Sequence, residues 1–214
     1  MLNFRLFGFP VEVHWMFWVV MALIGGTSAT GQSNPGGEIL VFVVVGFVSV
    51  LWHELGHTFF QRKYGMMSRI HLYGMGGLAI PVGGRRVTRS EQMTISVMGP
   101  VFGLLLAGFA WIVLGNVVIE SYWVLRALSF LLYVNIFWSV LNLLPVVPLD
   151  GGRITEAFLS NRRNGRDLTY RIGMVTGGAA ALGGMYYGLF MVAVLFGYFA
   201  YQNYQQLRGA TRGF

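Results

Sequence analysis

The chain has 214 residues, of which 55% are hydrophobic and only 11% are charged, and it contains no cysteine. An ordinary soluble domain carries about 25% charged residues, so this composition excludes a soluble globular protein and indicates an integral membrane protein. Without cysteine there are neither disulfides nor thiolate metal ligands, which leaves His, Asp and Glu to hold any metal. The net charge of +7 does not indicate a nucleic-acid partner, because the basic residues follow a membrane-topology pattern.

The apolar runs predict an all-α polytopic membrane protein with six transmembrane helices. These spans are predicted at residues 13–30, 39–60, 92–115, 122–145, 168–183 and 185–204. The N-terminal lead, RLFGFPVEVH, alternates polar and apolar residues and predicts a short strand at the membrane surface. The segment RIHLYGMGGLAIPVGG is too polar to cross a bilayer and predicts a short membrane-associated β-hairpin after the second helix.

The basic residues test the number of spans. In the six-helix arrangement, one side of the membrane receives Arg5, Arg62, Lys63, Arg69, Arg85, Arg86, Arg89, Arg153, Arg162, Arg163, Arg166, Arg171, Arg208 and Arg212. The exception is Arg126, at the start of the fourth span, and the loops of the opposite side hold no Lys or Arg. The positive-inside rule then places both termini in the cytoplasm, and by analogy we expect a multi-pass protein of a prokaryotic inner membrane.

The second predicted span carries the motif His53-Glu54-Leu55-Gly56-His57. On a helix, histidines four residues apart lie on one face, about 6 Å apart along the axis, which suits two imidazoles that bind one zinc ion. Glu54 follows the first histidine, at a position from which a carboxylate can act as general base. The alternative is a pair of core histidines beside a locally paired glutamate. Ionisable residues inside a membrane are costly and usually functional, so we favour a metal site near the cytoplasmic side.

A catalytic zinc takes three protein ligands and keeps one position open, so the two histidines need a partner. Asp150 is a candidate because it follows the proline-rich segment NLLPVVPLDGG, which ends the fourth span and frees its backbone from helix. Such broken helices are tolerated where they line a cavity. On spacing alone, a plain turn at Asp150 is an equally good interpretation.

The histidine motif, followed about ninety residues later by Asn142-x-x-Pro145-x-x-Pro148-x-Asp150-Gly151, resembles the site-2 protease family of intramembrane zinc metalloproteases. The resemblance covers essentially the whole chain and implies a single transmembrane metalloprotease domain over residues 1–214, without an extra soluble domain. It implies one zinc ion held by His53, His57 and Asp150, with Glu54 as the catalytic acid and base. It also implies that Asn142 helps to bind substrate or to stabilise the oxyanion, and that the substrate is a protein with a transmembrane helix.

One position departs from that family. Members often carry Gly-Pro-x-x-Asn in the third span, whereas this chain has Gly99-Pro100-Val101-Phe102-Gly103. A different class of function also stays open, namely a zinc-binding membrane protein without protease activity, such as a metal carrier or an inactive scaffold. A carrier is expected to place ionisable residues at mid-membrane in several spans, and it does not need Glu54.

Overall fold

The computed structural model describes residues 1–74 and 76–211, so Arg212 of the charge analysis lies outside the described residues. The helices are α1 (Trp15–Ala29), α2 (Pro35–Lys63), α3 (Arg89–Asn116), α4 (Tyr122–Asn142), α5 (Asp150–Leu159), α6 (Gly165–Tyr186) and α7 (Phe190–Thr211). The strands are β1 (Leu2–Leu6), β2 (Phe9–Val13), β3 (Met66–Tyr73) and β4 (Gly76–Gly84).

The prediction of six transmembrane helices is wrong. Within the described residues, only α2, α3 and α4 are long and apolar enough to cross a membrane. Helix α1 is apolar but has 15 residues, which gives about 22 Å of helix against the roughly 30 Å of a hydrocarbon core. Helices α6 and α7 have 22 residues each, but polar residues interrupt their apolar character. These residues are Arg166, Asp167 and Arg171 in α6 and Gln202, Asn203, Gln205, Gln206 and Arg208 in α7.

The predicted β-hairpin is present as β3 and β4, but it belongs to a larger sheet. The four strands have the order β1-β2-β3-β4, in which β1 and β2 form a second hairpin and β2 runs parallel to β3. A two-residue turn at Phe7 and Gly8 joins β1 to β2, and both residues have positive φ, as the turns that match strand twist require. The sheet corrects the all-α fold class, because the N-terminal lead supplies two strands and pairs with the hairpin.

The described chain divides into two compact units. The first comprises Met1–Arg86 and Met98–Ser139, and the second comprises Val87–Val97 and the described residues from Val140 onward. In the first unit, the inward residues of β2 and β3 pack with α1 and α2 in one apolar core. Its members include Val11, Val13, Phe17, Met21, Phe42, Val45, Leu55, Ile70, Leu72 and Phe130. This core holds the sheet against the helix that carries the histidine motif.

In the second unit, α6 and α7 form an antiparallel pair joined by a turn at Gly188, whose φ is +71°. Gly173, Gly177 and Gly184 are buried, and a Cβ at each would overlap or crowd atoms of α7. Gly173 and Gly177, four residues apart, thus form a small-residue face for close helix packing. The break between the two helices lies at 187–189, not between the predicted spans 168–183 and 185–204.

Candidate metal centre

Helix α2 places the histidine motif deep in the first unit. It begins at Pro35, and the side chain of Asn34 caps it by accepting a hydrogen bond from the N–H of Gly37 at 3.0 Å. His53, Glu54 and His57 are only 3%, 5% and 4% exposed. Burial of ionisable side chains in an apolar helix is costly, and inside a membrane such residues are usually functional.

The two imidazoles converge as the sequence predicts. Their Nε2 atoms lie 3.2 Å apart, with the rings edge to face. Two nitrogens bound to one tetrahedral zinc at about 2.05 Å are separated by about 3.3 Å. The separation of the two Nε2 atoms thus matches that of two ligands of one tetrahedral zinc, and nitrogen donors without sulfur are more typical of a catalytic than of a purely structural ion.

Space beside the two Nε2 atoms is kept by Gly99 of α3. A Cβ at this position would overlap Nε2 of His57 and crowd Nε2 of His53. Gly56, inside the motif, lets α3 approach, because a Cβ there would overlap the backbone carbonyl of Met98. The two glycines thus allow α2 and α3 to meet at the metal-binding face and leave room there for an ion.

The carboxyl group of Glu54 faces the sheet. A Cβ at Gly77, near the start of β4, would overlap Cγ, Cδ and Oε1 of Glu54. Thr58 Oγ1 donates a hydrogen bond to the carbonyl of Glu54 at 3.1 Å. The proposed acid and base therefore lies between its own helix and the first residues of an edge strand.

Gly103 stands at the position where members of the family often carry asparagine. There is no room for a side chain at this position, because a Cβ would overlap Oγ of Ser139. Ser139 Oγ donates to the carbonyl of Pro100 at 3.1 Å, and Nδ2 of Asn135 donates to Oγ of Ser49 at 2.8 Å. Polar side chains of α4 therefore occupy this place against α2 and α3.

Asn142 and Asp150 lie in the second unit. Asn142 is the last residue of α4 and Asp150 the first of α5, and both are buried, with 9% and 6% exposed. The segment between them folds tightly over the start of α5. A Cβ at Gly151 would overlap the carbonyls of Leu143 and Leu144, which explains the glycine after the aspartate. Asp150 thus has a defined place at a helix start, where a carboxylate is favourable.

The sequence indicates the candidate site residues but not the glycines that make room for them. Gly77 and Gly99 appeared only as parts of motifs, since nothing local indicates that a distant helix or strand passes within contact of a glycine. The pattern GLAIPV after the histidine motif was the available signal for Gly77. The Gly-Pro step in α3 was the signal for Gly99.

The histidine pair and the buried glutamate, on a helix long enough to cross a membrane, form a candidate metal centre of a membrane protein. Comparison with known proteins is consistent with this class. Residues 118–183 match the model of peptidase family M50. A zinc metalloprotease of Methanocaldococcus jannaschii is 31% identical over 163 residues, which cover 74% of this chain and 45% of that protein. Stage IV sporulation protein FB of Bacillus subtilis is 28% identical over 157 residues, covering 71% of this chain and 48% of that protein.

A solved structure gives the same result over almost the full chain. The site-2 protease from Methanocaldococcus jannaschii superposes with a TM-score of 0.67 at 28% identity and covers 94% of both chains. The chain belongs to the site-2 protease family of zinc metalloproteases, which confirms the predicted family. The chain spans about half the length of the curated relatives that it matches.

Proposed function

We propose that this protein is an intramembrane zinc metallopeptidase that hydrolyses peptide bonds within or near transmembrane segments of other membrane proteins. The observation that carries the proposal is the pair of buried imidazoles, with Nε2 atoms 3.2 Å apart, on a 29-residue helix long enough to cross a bilayer. Glu54, between them in sequence and equally buried, adds the group that peptide hydrolysis needs and metal storage does not.

We propose that His53, His57 and Asp150 hold one zinc ion and that Asn142 binds substrate. Two imidazole nitrogens and one carboxylate oxygen form a donor set typical of catalytic zinc. The position of Asp150, buried as the first residue of α5, supports this role. The amide of Asn142, which is also buried, can donate to a carbonyl oxygen that gains negative charge.

The chain's own groups then perform the proton transfers. Zinc, when bound, supplies a Lewis acid that polarises the scissile carbonyl and makes a nearby water more acidic. Glu54 takes a proton from the attacking water and passes it to the leaving amine. The burial of Glu54 beside Gly77 keeps this carboxylate in one place and limits the access of bulk water.

The free side of β4 is the proposed place for the substrate backbone. In the described part of the chain, β4 pairs with β3 alone and so forms an edge of the sheet. A transmembrane helix must unwind before it is cleaved, and an unwound segment can pair with such an edge. Gly77 lies on this strand and against Glu54, so a peptide on β4 would run past the proposed catalytic carboxylate.

Single prolines at alternate positions of β4 should reduce cleavage and spare zinc binding. Unchanged cleavage in all of these variants would refute this mode of substrate binding.

The protein is a membrane protein, and we propose the cytoplasmic membrane as its location. The expectation that both termini are cytoplasmic was drawn together with the six-span count. It is not proposed here, because the three candidate spans of the described residues would place the two ends on opposite sides of the membrane. We also propose that the active site opens toward the cytoplasmic side and that its substrates are transmembrane-helix proteins rather than soluble ones. The single-domain organisation over residues 1–214 stays a prediction.

Glu54→Gln tests the function. The purified chain, reconstituted in lipid vesicles with a panel of labelled single-span membrane proteins, should cleave at least one of them inside or near its span. Glu54→Gln should abolish cleavage and retain zinc, measured in the same samples. Glu120→Gln, an exposed glutamate between α3 and α4, is the matched control and should keep full activity.

Retained cleavage in Glu54→Gln would contradict the proposal. Zinc binding without cleavage of any panel member by the unchanged chain would favour the carrier or scaffold. Mass mapping of the products separates an intramembrane protease, whose cuts fall in or beside spans, from a hydrolase of soluble segments.

A further inference from the structure

Asn203 of α7 is a buried polar residue that the proposed chemistry does not use. Only 1% of its surface is exposed, and its side-chain amide donates to two backbone carbonyls. One belongs to Phe199, four residues earlier in the same helix, at 2.8 Å. The other belongs to Val147, at 2.7 Å, in the segment that leads to Asp150. Because both neighbours are carbonyl acceptors, only the NH₂ end of the amide can face them, and this fixes its orientation.

Helix α7 also packs against that segment through apolar contacts. Val146 is fully buried and belongs to one cluster with Phe196 and Phe199. Phe196, Phe199 and Asn203 are spaced three, four and seven residues apart, so they lie on one helix face. Inside the segment, the N–H of Leu149 donates to the carbonyl of Val146 at 2.8 Å. The backbone just before Asp150 is thus held by its own turn and by one face of α7.

Helix α6 supports Asn203 from behind. A Cβ at Gly173 would overlap Oδ1 and Cγ of Asn203. The same Oδ1 is buried and has no hydrogen-bond partner among the described residues, which is an unfavourable arrangement for a polar atom. The amide therefore makes its hydrogen bonds through the donor side alone. That donor side binds Val147.

We propose that Asn203 is a positioning residue for Asp150. By holding the Val147 carbonyl, it fixes the backbone three residues before the aspartate and so fixes the direction in which the carboxylate enters the metal centre. The inference rests on the proposed role of Asp150 as a zinc ligand. Groups that orient metal ligands without touching the metal typically change metal affinity by about 10–100-fold when they are removed.

The test uses the full chain in detergent and two variants that act on the same contact from different sides. Asn203→Leu removes the donor, and Gly173→Ala displaces the amide from the position in which it binds Val147. Their matched controls are Asn116→Leu and Gly178→Ala. Asn116 donates to the carbonyl of Ile112 within its own helix at 2.8 Å, and a Cβ at Gly178, in the same helix as Gly173, meets no atom within 4 Å.

Two readouts are measured. Amide hydrogen exchange of residues 143–153 in zinc-free protein reports whether the segment is held, independently of metal and activity. Zinc release to a competing chelator reports on the ligand itself. We expect faster exchange over 143–153 and about tenfold faster zinc release in Asn203→Leu and Gly173→Ala, with neither change in the controls.

Unchanged exchange in both variants would overturn the inference, and so would faster exchange with unchanged zinc release. If Asn203→Leu does not fold, Gly173→Ala against Gly178→Ala decides alone. Asp150→Ala separates this inference from the proposed function. Zinc release from Asp150→Ala at the rate of the unchanged chain would remove Asp150 as a ligand, whatever the exchange of the segment shows.

Discussion

Gly77 of β4 lies against the carboxyl group of Glu54, so closely that a Cβ on residue 77 would overlap three atoms of that side chain. An edge strand of the sheet therefore passes directly beside the proposed acid and base, although the two residues are 23 positions apart in sequence. The contact relates the element proposed to hold substrate to the group proposed to move protons. It also makes position 77 sensitive to a single added methyl group.

Gly77→Ala should lower the rate of peptide cleavage and leave bound zinc unchanged. The added Cβ must displace Glu54 or β4, and a misplacement of about 1 Å at a catalytic group can cost about 100-fold in rate. Cleavage and zinc content are measured together in vesicles. Gly83→Ala is the control, since it lies on the same strand and its Cβ meets no atom within 4 Å. Equal loss in both variants would show that β4 as a whole, and not its contact with Glu54, is disturbed.

Gly99→Ala should act on the metal rather than on proton transfer. Its Cβ would occupy the space beside Nε2 of both His53 and His57, which an ion bound to them needs. We therefore expect most of the zinc to be lost on purification, and cleavage with it, and added zinc should restore activity only in part. Zinc content by atomic emission checks this. Gly108→Ala, in the same helix with open space around its Cβ, should keep zinc; full zinc in Gly99→Ala would place the ion elsewhere.

The buried ion pair between Glu38 of α2 and Arg126 of α4 should matter for stability. Nε and NH2 of Arg126 both donate to the carboxylate, at 2.7–3.0 Å, and the hydroxyl of Tyr122 donates to the same group. Only 1% of the Glu38 side chain is exposed. Arg126→Met leaves this carboxylate buried without its cation, which typically costs about 3–5 kcal/mol.

The measurement is the free energy of unfolding in mixed micelles, with Arg69→Met as the control. Arg69 is 3.7 Å from Glu12, and both side chains are substantially exposed, 46% and 34%, so its loss should cost less than about 1 kcal/mol. The double variant Glu38→Leu with Arg126→Met should recover part of the stability, because no buried charge remains alone. Equal effects at Arg126 and Arg69 would contradict the importance of burial.

The histidine motif could be predicted because its geometry is local. Four residues of α-helix bring His53 and His57 to one face whatever surrounds them, and the apolar sequence around them determines their burial. The strands could be predicted in part for the same reason, since alternation over a few residues indicates a strand. The parallel pairing of β2 with β3 could not, because it joins Val11 to Ile70 across an entire helix pair.

The number of spans failed for a physical reason that the sequence does contain. Counting apolar residues over long stretches predicts that α1, α6 and α7 cross the membrane. A helix that crosses a bilayer must also be long enough and uninterrupted by polar residues. The positive-inside rule then agreed with the wrong count. A charge pattern indicates on which side of the membrane a segment lies, and not how many helices cross it. Arg126, the exception in that pattern, is explained by its pairing with Glu38. No local feature of either residue indicates that pairing.

The proposed activity requires one zinc ion bound by two histidines and an aspartate. X-ray absorption at the zinc K-edge of the purified chain measures this ligand set directly. We predict one zinc per chain with about four nitrogen or oxygen neighbours at about 2.0–2.1 Å, two of them imidazoles, and the loss of one light neighbour in Asp150→Ala. A zinc spectrum that keeps its imidazole signal in His53→Ala and His57→Ala, or a purified chain that binds no zinc at all, would contradict the account.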